Sequence, residues 1–596
     1  MEAVTASGTG SKTMADLLPA AAERYAGQTA LRHKVGDSWE DIGYEELGRA
    51  VSETARGLID LGLEHGDKVS ILSHTRPEWT YANFAILSAG TVSVSIYQTN
   101  SADECHYVLE HSESRAVFVE DAEQLAKVLE VRDRLPKLEH IVIFDPSDDA
   151  GGDAIPLADL RARGAARDVA DLQARTDAVT KDDLAITIYT SGTTGPPKGC
   201  LLTHGNYRDV TSMTEQMGVL ERGDSVYLFL PLAHAFAKLI QFVLLDLGGT
   251  IAYWEKDAQR IVPNLMEVKP TYFPSVPRMF EKIYTLATNA AEDKDELKAA
   301  VELGLKVRLM EREGQEVPAE LRAAFEQADE KLYKNVQALF GGNIRQCVTG
   351  AAPIAEDILK FFYACGVPVM EGWGMTETST VASANVPDAF RFGSVGRPLP
   401  GVEAKVADDG ELLLRGANIF QGYYKNPEAT AETLVDGWLH TGDLGRIDED
   451  GYIFIVGRKK DIIITAGGKN ITPANLENGL KQNRWISQAV VVGDRRPFLV
   501  ALITLDPEEV PAFAAQHGLE ADQVPDSEQM RAEVQAAIDE VNTKVGPVEQ
   551  IKYFQILPHD LTQETGELTP TLKVKRNVVN EKFAEVVDEL YENAGR

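Results

Sequence analysis

Residues 182–200 read DDLAITIYTSGTTGPPKGC, and no other stretch says as much about the chain. Leu184, Ile186 and Ile188 alternate with their neighbours, the period of a strand with one buried face. The strand runs into a loop holding Thr190, Ser191, Gly192, Thr193, Thr194, Gly195 and Lys198. Glycines let backbone N–H groups approach a phosphate, hydroxyls add donors, and the lysine adds charge. A surface hairpin rich in Gly and Thr is the plainer alternative. The hydroxyls of Thr190, Ser191, Thr193 and Thr194 beside a lysine favour an anion instead. A Walker A loop needs GxxxxGK followed by Ser or Thr. Here Pro197 precedes Lys198 and Gly199 follows it, so that class of phosphate loop is excluded.

Around this loop, apolar runs alternate with amphipathic helical stretches through most of the chain, which is α/β texture. Short buried strands are expected at 69–72, 116–119 and 141–144. A helix is expected at 46–61, where Leu47, Val51, Ala55 and Leu58 recur at helical spacing before Gly62 stops it. Residues 146–181, rich in Asp, Ala, Arg and Gly, read as a link between two subdomains. Residues 292–338 read as two helices broken near 314–318. A short strand at 452–456 meets a basic turn at 457–461. Beyond it lie further strands (489–492, 499–505) and helices (530–545, 578–591), so a small C-terminal domain on a hinge is expected.

The composition limits the function. At 596 residues the chain exceeds one ordinary core. A net charge of −33 excludes a nucleic-acid partner, and it requires any site for a polyanion to be locally positive or metal-assisted. Cys105, Cys200, Cys347 and Cys365 form no CxxC pair, which fits a reduced cytoplasm without a zinc site. No apolar run approaches the roughly 20 residues of a membrane span. Residues 1–11 read as a loose tail.

YTSGTTGPPKG resembles the phosphate-loop signature of the adenylate-forming superfamily, which includes acyl-CoA synthetases, firefly luciferases and peptide-synthetase adenylation domains. The resemblance implies a large N-terminal domain (12–457) of two α/β subdomains plus a β-barrel-like part, with the helical insertion at 292–338. It also implies a hinge at 458–461 and a small mobile α+β domain at 462–596. By the same resemblance Gly350, Ala351, Ala352 and Pro353 border the adenine of ATP. In Glu371-Gly372-Trp373-Gly374-Met375-Thr376-Glu377, Trp373 stacks on the adenine, Thr376 donates to the α-phosphate, and Glu377 holds Mg²⁺. Asp443 of Leu439-His440-Thr441-Gly442-Asp443 chelates the ribose hydroxyls, and Arg458 also reaches the ribose. Lys460 takes the hinge position.

The catalytic lysine falls in Thr569-Pro570-Thr571-Leu572-Lys573, where Leu572 replaces the family's usual Gly, and Lys573 is preferred to Lys575. Gly467 and Gly468 resemble the segment lining the pantetheine channel of coenzyme A. His234, in Pro231-Leu232-Ala233-His234, matches a position beside the reacting carboxylate and is given a positioning role. Phe236, Leu239, Ile240 and Val243 form an apolar stripe able to wall an acyl tunnel, or to be plain core. Thr75-Arg76-Pro77-Glu78-Trp79, Tyr97 and Asp436-Gly437-Trp438-Leu439-His440 resemble long-chain acyl-CoA synthetases of the bacterial type.

The implied reaction joins a fatty acid to CoA through an acyl-adenylate, releasing AMP and diphosphate, in the cytoplasm. Peripheral contact with the inner membrane face and a homodimer stay open. So do an acyl-AMP ligase that loads a carrier protein, and an inactive lipid- or nucleotide-binding homologue.

Overall fold

The computed structural model describes residues 8–146, 154–190, 196–289, 293–569 and 573–593. Two mixed sheets organise the large domain. The first has eight strands, in the order Gly422–Tyr423, Lys198–Thr203, Leu184–Thr190, Val92–Ile96, Lys68–Leu72, Ala116–Val119, His140–Ile143 and Ile155–Pro156. From Leu184–Thr190 to Ile155–Pro156 its strands are parallel. Every residue of Val92–Ile96 and Ala116–Val119 is buried, as expected of parallel strands covered on both faces.

The second sheet has nine strands, with a parallel centre formed by Gln346–Thr349, Val369–Trp373, Tyr272–Ser275, Ser225–Leu228 and Thr250–Tyr253. In open α/β sheets ligands bind beyond the carboxyl ends of such strands. Thr190, Thr349 and Trp373 stand at those ends. The expected barrel-like part is a five-stranded antiparallel sheet built from Glu403–Val406, Glu411–Arg415, Leu434–Val435, Trp438–Ile447 and Ile453–Arg458.

Leu47, Val51, Ala55 and Leu58 do line the buried face of a helix, Tyr44–Asp60, and Gly62 follows it at φ 83°. Residues 146–181 are not a simple link. Leu157–Ala166 and Val169–Ala178 are helices with buried faces at Leu157, Leu160, Leu172 and Thr176. Leu157–Ala166 crosses Tyr44–Asp60 so closely that a Cβ on Gly164 would stand 1.8 Å from the Glu53 carbonyl oxygen. Glycine is required there, which explains part of the composition that suggested a linker. Residues 8–11 of the expected loose tail are also tied down: the Asp246 carboxylate accepts from the Thr9 N–H at 3.0 Å, and the Gly8 carbonyl accepts from Arg24.

The insertion forms Lys294–Arg312 and Ala319–Ala328, broken at Gly314 (φ 68°), and continues through a short π turn into Lys334–Leu339. From Ile463 onward the chain has its own apolar clusters around the sheet Ile486–Val492, Leu499–Leu505 and Ile551–Ile556. The helix expected at 578–591 is two helices, Arg576–Lys582 and Ala584–Asn593, separated at Phe583.

Candidate active site

A cleft of about 3040 Å³ lies where the two sheets, the antiparallel sheet and the C-terminal domain meet. Thr190 and Lys198 face it from a hairpin in which they are Cα partners. Ser191, Gly192, Thr193, Thr194 and Gly195 lie outside the described residues. The Lys198 ammonium sits 4.2 Å from the centre of the Tyr423 ring, and the Tyr423 hydroxyl donates to Glu377 Oε1 at 2.6 Å. A cation, an aromatic face and a carboxylate thus form one chain of contacts at the cleft wall.

The adenine side is equally well defined. Gly350, Ala351, Ala352 and Pro353 follow Gln346–Thr349 and line the cleft. Ala351 has φ 69°, a left-handed conformation that penalises any side chain beyond glycine and clusters at functional sites. Glu371 and Gly372 precede Trp373 at the end of a strand. Glu371 Oε2 is buried without a hydrogen-bond partner among the described residues. Burial, with the nearby Glu356 charge adding, pushes this carboxyl up to about 8.

Asp443 joins two of the other predicted residues. Its Oδ2 accepts from Trp373 Nε1 at 2.8 Å and its Oδ1 from Arg458 Nε at 2.9 Å. Asp443 and Arg458 are Cα partners on antiparallel strands. The Asp443 charge raises the Arg458 pKa further, so that group stays ionised. Each carboxylate oxygen has a second lone pair, so both can still accept from a ribose hydroxyl.

The preceding turn is pinned by Glu411, which accepts from the Gly442 N–H at 2.8 Å and pairs with Lys459 at 3.2 Å. Burial alone would raise the Glu411 carboxyl. Hydrogen bonds from Gly442, Lys459 and His440 outweigh it and hold the group below its usual range.

The C-terminal domain contributes Lys573. The Thr569 N–H donates to the Lys573 carbonyl at 2.8 Å, and the Lys573 N–H donates to Thr569 Oγ1 at 3.0 Å. The side chain keeps contact with open cleft space, yet protein walls surround it at close range. That enclosure, with Arg458 adding, lowers the Lys573 pKa, while Asp443 and Glu377 oppose the shift. These groups are therefore near enough to feel one another's charge.

His234 caps the helix Ala235–Asp246: its Nδ1 accepts from the Phe236 N–H at 3.2 Å. Burial, then Lys573, lowers its pKa to about 4, so at neutral pH the ring is neutral and Nε2 carries the proton. Beside it, Phe236, Leu239 and Ile240 line the cleft, whereas Val243 lies in the core away from it. The helix is buried on all sides, so its periodicity does not mark the face that meets the cavity.

Thr376 lines the cleft in the short turn Thr376–Thr378, and Lys460 lines it beyond Arg458. Gly467 and Gly468 do not. They sit in an exposed turn between Ile463–Ile464 and Asn470–Ile471 while the face carrying Lys573 is turned inward.

The donor set suits magnesium. Glu377 Oε2 has no hydrogen-bond partner among the described residues, and a carboxylate oxygen is the hard donor that magnesium prefers. No group of three or more His, Cys, Asp or Glu able to hold a metal occurs among the described residues. Such a site fits an ion whose shell is completed by substrate phosphates and water.

Tyr423 and Glu411 were not singled out in the sequence. Tyr423 reaches Lys198 only because Gly422–Tyr423 pairs with the strand Lys198–Thr203, a contact between segments more than 200 residues apart. Glu411 belongs to no motif, and its place opposite Leu444 is set by strand pairing.

Residues 18–424 match the AMP-binding enzyme family, and residues 460–595 match the AMP-binding enzyme C-terminal domain. The chain is 40% identical over 561 residues to the long-chain-fatty-acid–CoA ligase FadD15 of Mycobacterium bovis, covering 93% of this chain and 92% of that one. It is 33% identical over 626 residues to the long-chain-fatty-acid–CoA ligase ACSBG2 of Xenopus laevis, covering 98% and 84%. The solved A domain of carboxylic acid reductase from Segniliparus rugosus, in complex with AMP and a co-purified carboxylic acid, shares the fold. Its TM-score is 0.78 at 20% identity, over 98% of this chain and 95% of that one. The chain belongs to the AMP-binding enzyme family and, within it, to the long-chain-fatty-acid–CoA ligases.

Proposed function

We propose that this protein joins a long-chain fatty acid to coenzyme A through an acyl-adenylate, with the residues of the cleft in the following roles. One observation carries the assignment: Lys573 of the small domain and Glu377, Asp443 and Arg458 of the large domain line one cleft. The fatty carboxylate is ionised at neutral pH and attacks the α-phosphorus of ATP without a general base. The barrier then lies in bringing two anions together and in the charge on the transferring group. Trp373 offers a face for the adenine, and Glu371 Oε2 accepts from its exocyclic amine. Asp443 and Arg458 bind the ribose.

Lys198 and Thr190 hold the outer phosphates, while Thr376 and Lys573 donate to the α-phosphate. His234, neutral with its proton on Nε2, donates a hydrogen bond to the fatty carboxylate and orients it. Magnesium, held by Glu377, would supply charge neutralisation on the phosphates. Diphosphate leaves, and a rotation about Lys460 withdraws Lys573 and brings Gly467 and Gly468 to the pantetheine path. The thiol then attacks the acyl carbon and AMP leaves.

Four buried free cysteines support a reduced cytoplasmic setting, and a lipid substrate supports peripheral contact with the inner membrane face. No helix among the described residues is long and apolar enough to cross a membrane. The deciding assay is release of AMP from ATP in the presence of a saturated fatty acid, with and without CoA. Acyl-CoA formed only when CoA is present supports this reading. Transfer only to a carrier protein would favour the acyl-AMP ligase.

A further inference from the structure

Part of the cleft wall is buried apolar surface. Val219, Leu239, Ile240 and Val348 line the cleft and belong to one core cluster, with Tyr272 among them. Such a surface suits a hydrocarbon chain, yet it contains a polar break. Tyr272 is fully buried and its hydroxyl has no hydrogen-bond partner among the described residues. Gln346 is fully buried too, and neither its amide oxygen nor its amide nitrogen has a partner among the described residues.

The two residues are Cα partners on the parallel strands Tyr272–Ser275 and Gln346–Thr349. Their side chains therefore leave the sheet on one face, the face that also carries Val348 two residues beyond Gln346. A buried donor or acceptor left unbonded is costly, and here three such atoms lie on the sheet face whose Tyr272 and Val348 line the cleft. Some group other than the protein's own is needed to meet them.

The chemistry of the pair narrows what that group is. A phenol and a primary amide both donate and accept, so the complement is a neutral group that also does both. Burial pushes the Tyr272 hydroxyl upward, keeping it protonated. The cation nearest along the chain, Arg345, is tied to Asp224 at 2.6 Å and Glu221 at 3.3 Å, leaving no free positive charge for a carboxylate. We propose that Tyr272 and Gln346 form a polar seat in the acyl-binding wall that takes a hydroxyl carried near the distal end of the fatty chain. The favoured substrates are thus hydroxylated long-chain acids. The inference rests on the fatty acid ligase reading and refines its substrate class.

The test compares kcat/KM for methyl-ended, ω-hydroxy and α,ω-dicarboxylic acids over a series of chain lengths. It uses the full-length enzyme and its Tyr272→Phe and Gln346→Leu variants. The wild type is expected to prefer the hydroxy acid to the methyl-ended acid of equal length by at least about tenfold at one length, and to discriminate against the diacid. In each variant the ratio of the two kcat/KM values should fall towards one. Because both acids are measured on the same enzyme, partial loss of folded protein leaves the ratio unchanged. A wild-type ratio near one at every length, or the same ratio in all three proteins, overturns the inference and leaves the pair to ordered water. Failure of every acid to yield AMP sinks the ligase reading, and the inference with it.

Discussion

Asp443 and Arg458 face each other on neighbouring antiparallel strands, joined at 2.9 Å, and the other Asp443 oxygen accepts from the Trp373 indole at 2.8 Å. One carboxylate therefore aligns the aromatic face and the guanidinium that would meet the two halves of a nucleoside.

Replacing Asp443 should disturb all three at once. Asp443→Ala removes the acceptor for the Trp373 and Arg458 donors and the ribose contact, so KM for ATP should rise by at least about tenfold, the scale of one charge-assisted hydrogen bond. Fatty acid KM should change much less. Initial rates of ATP–diphosphate exchange at varied ATP check both values, and equal effects on the two substrates would count against the nucleoside role.

Glu371 makes nucleotide binding pH-dependent. Its carboxyl, raised to about 8 by burial and by Glu356, is mostly protonated at neutral pH. Its ionised form is the better acceptor for an amine hydrogen. KM for ATP should therefore fall as pH rises through about 8, and the profile should flatten in Glu371→Gln. A wild-type profile flat across that interval would remove Glu371 from the adenine site.

Two ion pairs tie the domains in the orientation that points Lys573 into the cleft. Arg278 pairs with Asp506 and Lys282 with Glu508, joining Pro277–Asn289 to the segment after Leu499–Leu505. Each is partly exposed and worth at most about 1 kcal/mol. Arg278→Asp should slow adenylation by up to about fivefold, and Asp506→Arg in the same chain should restore part of it. Single-turnover formation of acyl-AMP, at low and high salt, reads this. An Arg278→Asp effect that the second change leaves untouched would show that the pair does not act as a latch.

Several residues that the sequence singles out come from contiguous motifs and line one cleft. Lys198, the run Glu371–Glu377 and the turn ending at Asp443 lie in motifs that each place several polar groups within a few residues, and the fold brings these described residues to the same cleft. Contacts made by strand pairing were not legible. Tyr423 meets Lys198, and Tyr272 meets Gln346, through registers that no local pattern encodes. Val243 was grouped with Phe236, Leu239 and Ile240 because all four are apolar at helical spacing, but in a helix buried all round the pattern cannot tell cavity from core. Residues 146–181 were misread for a related reason. Composition suggested a linker, while Gly57 and Gly164 serve a close crossing of two helices.

The most direct measurement concerns the lysine that the small domain carries into the cleft. Lys573→Ala should lower fatty-acid-dependent ATP–diphosphate exchange by at least about a hundredfold, the scale of one lost donor to a charged transition state. The same variant, given preformed acyl-AMP and CoA, should form acyl-CoA at close to the wild-type rate. Equal losses in the two half-reactions, or exchange that survives the substitution, would contradict the account.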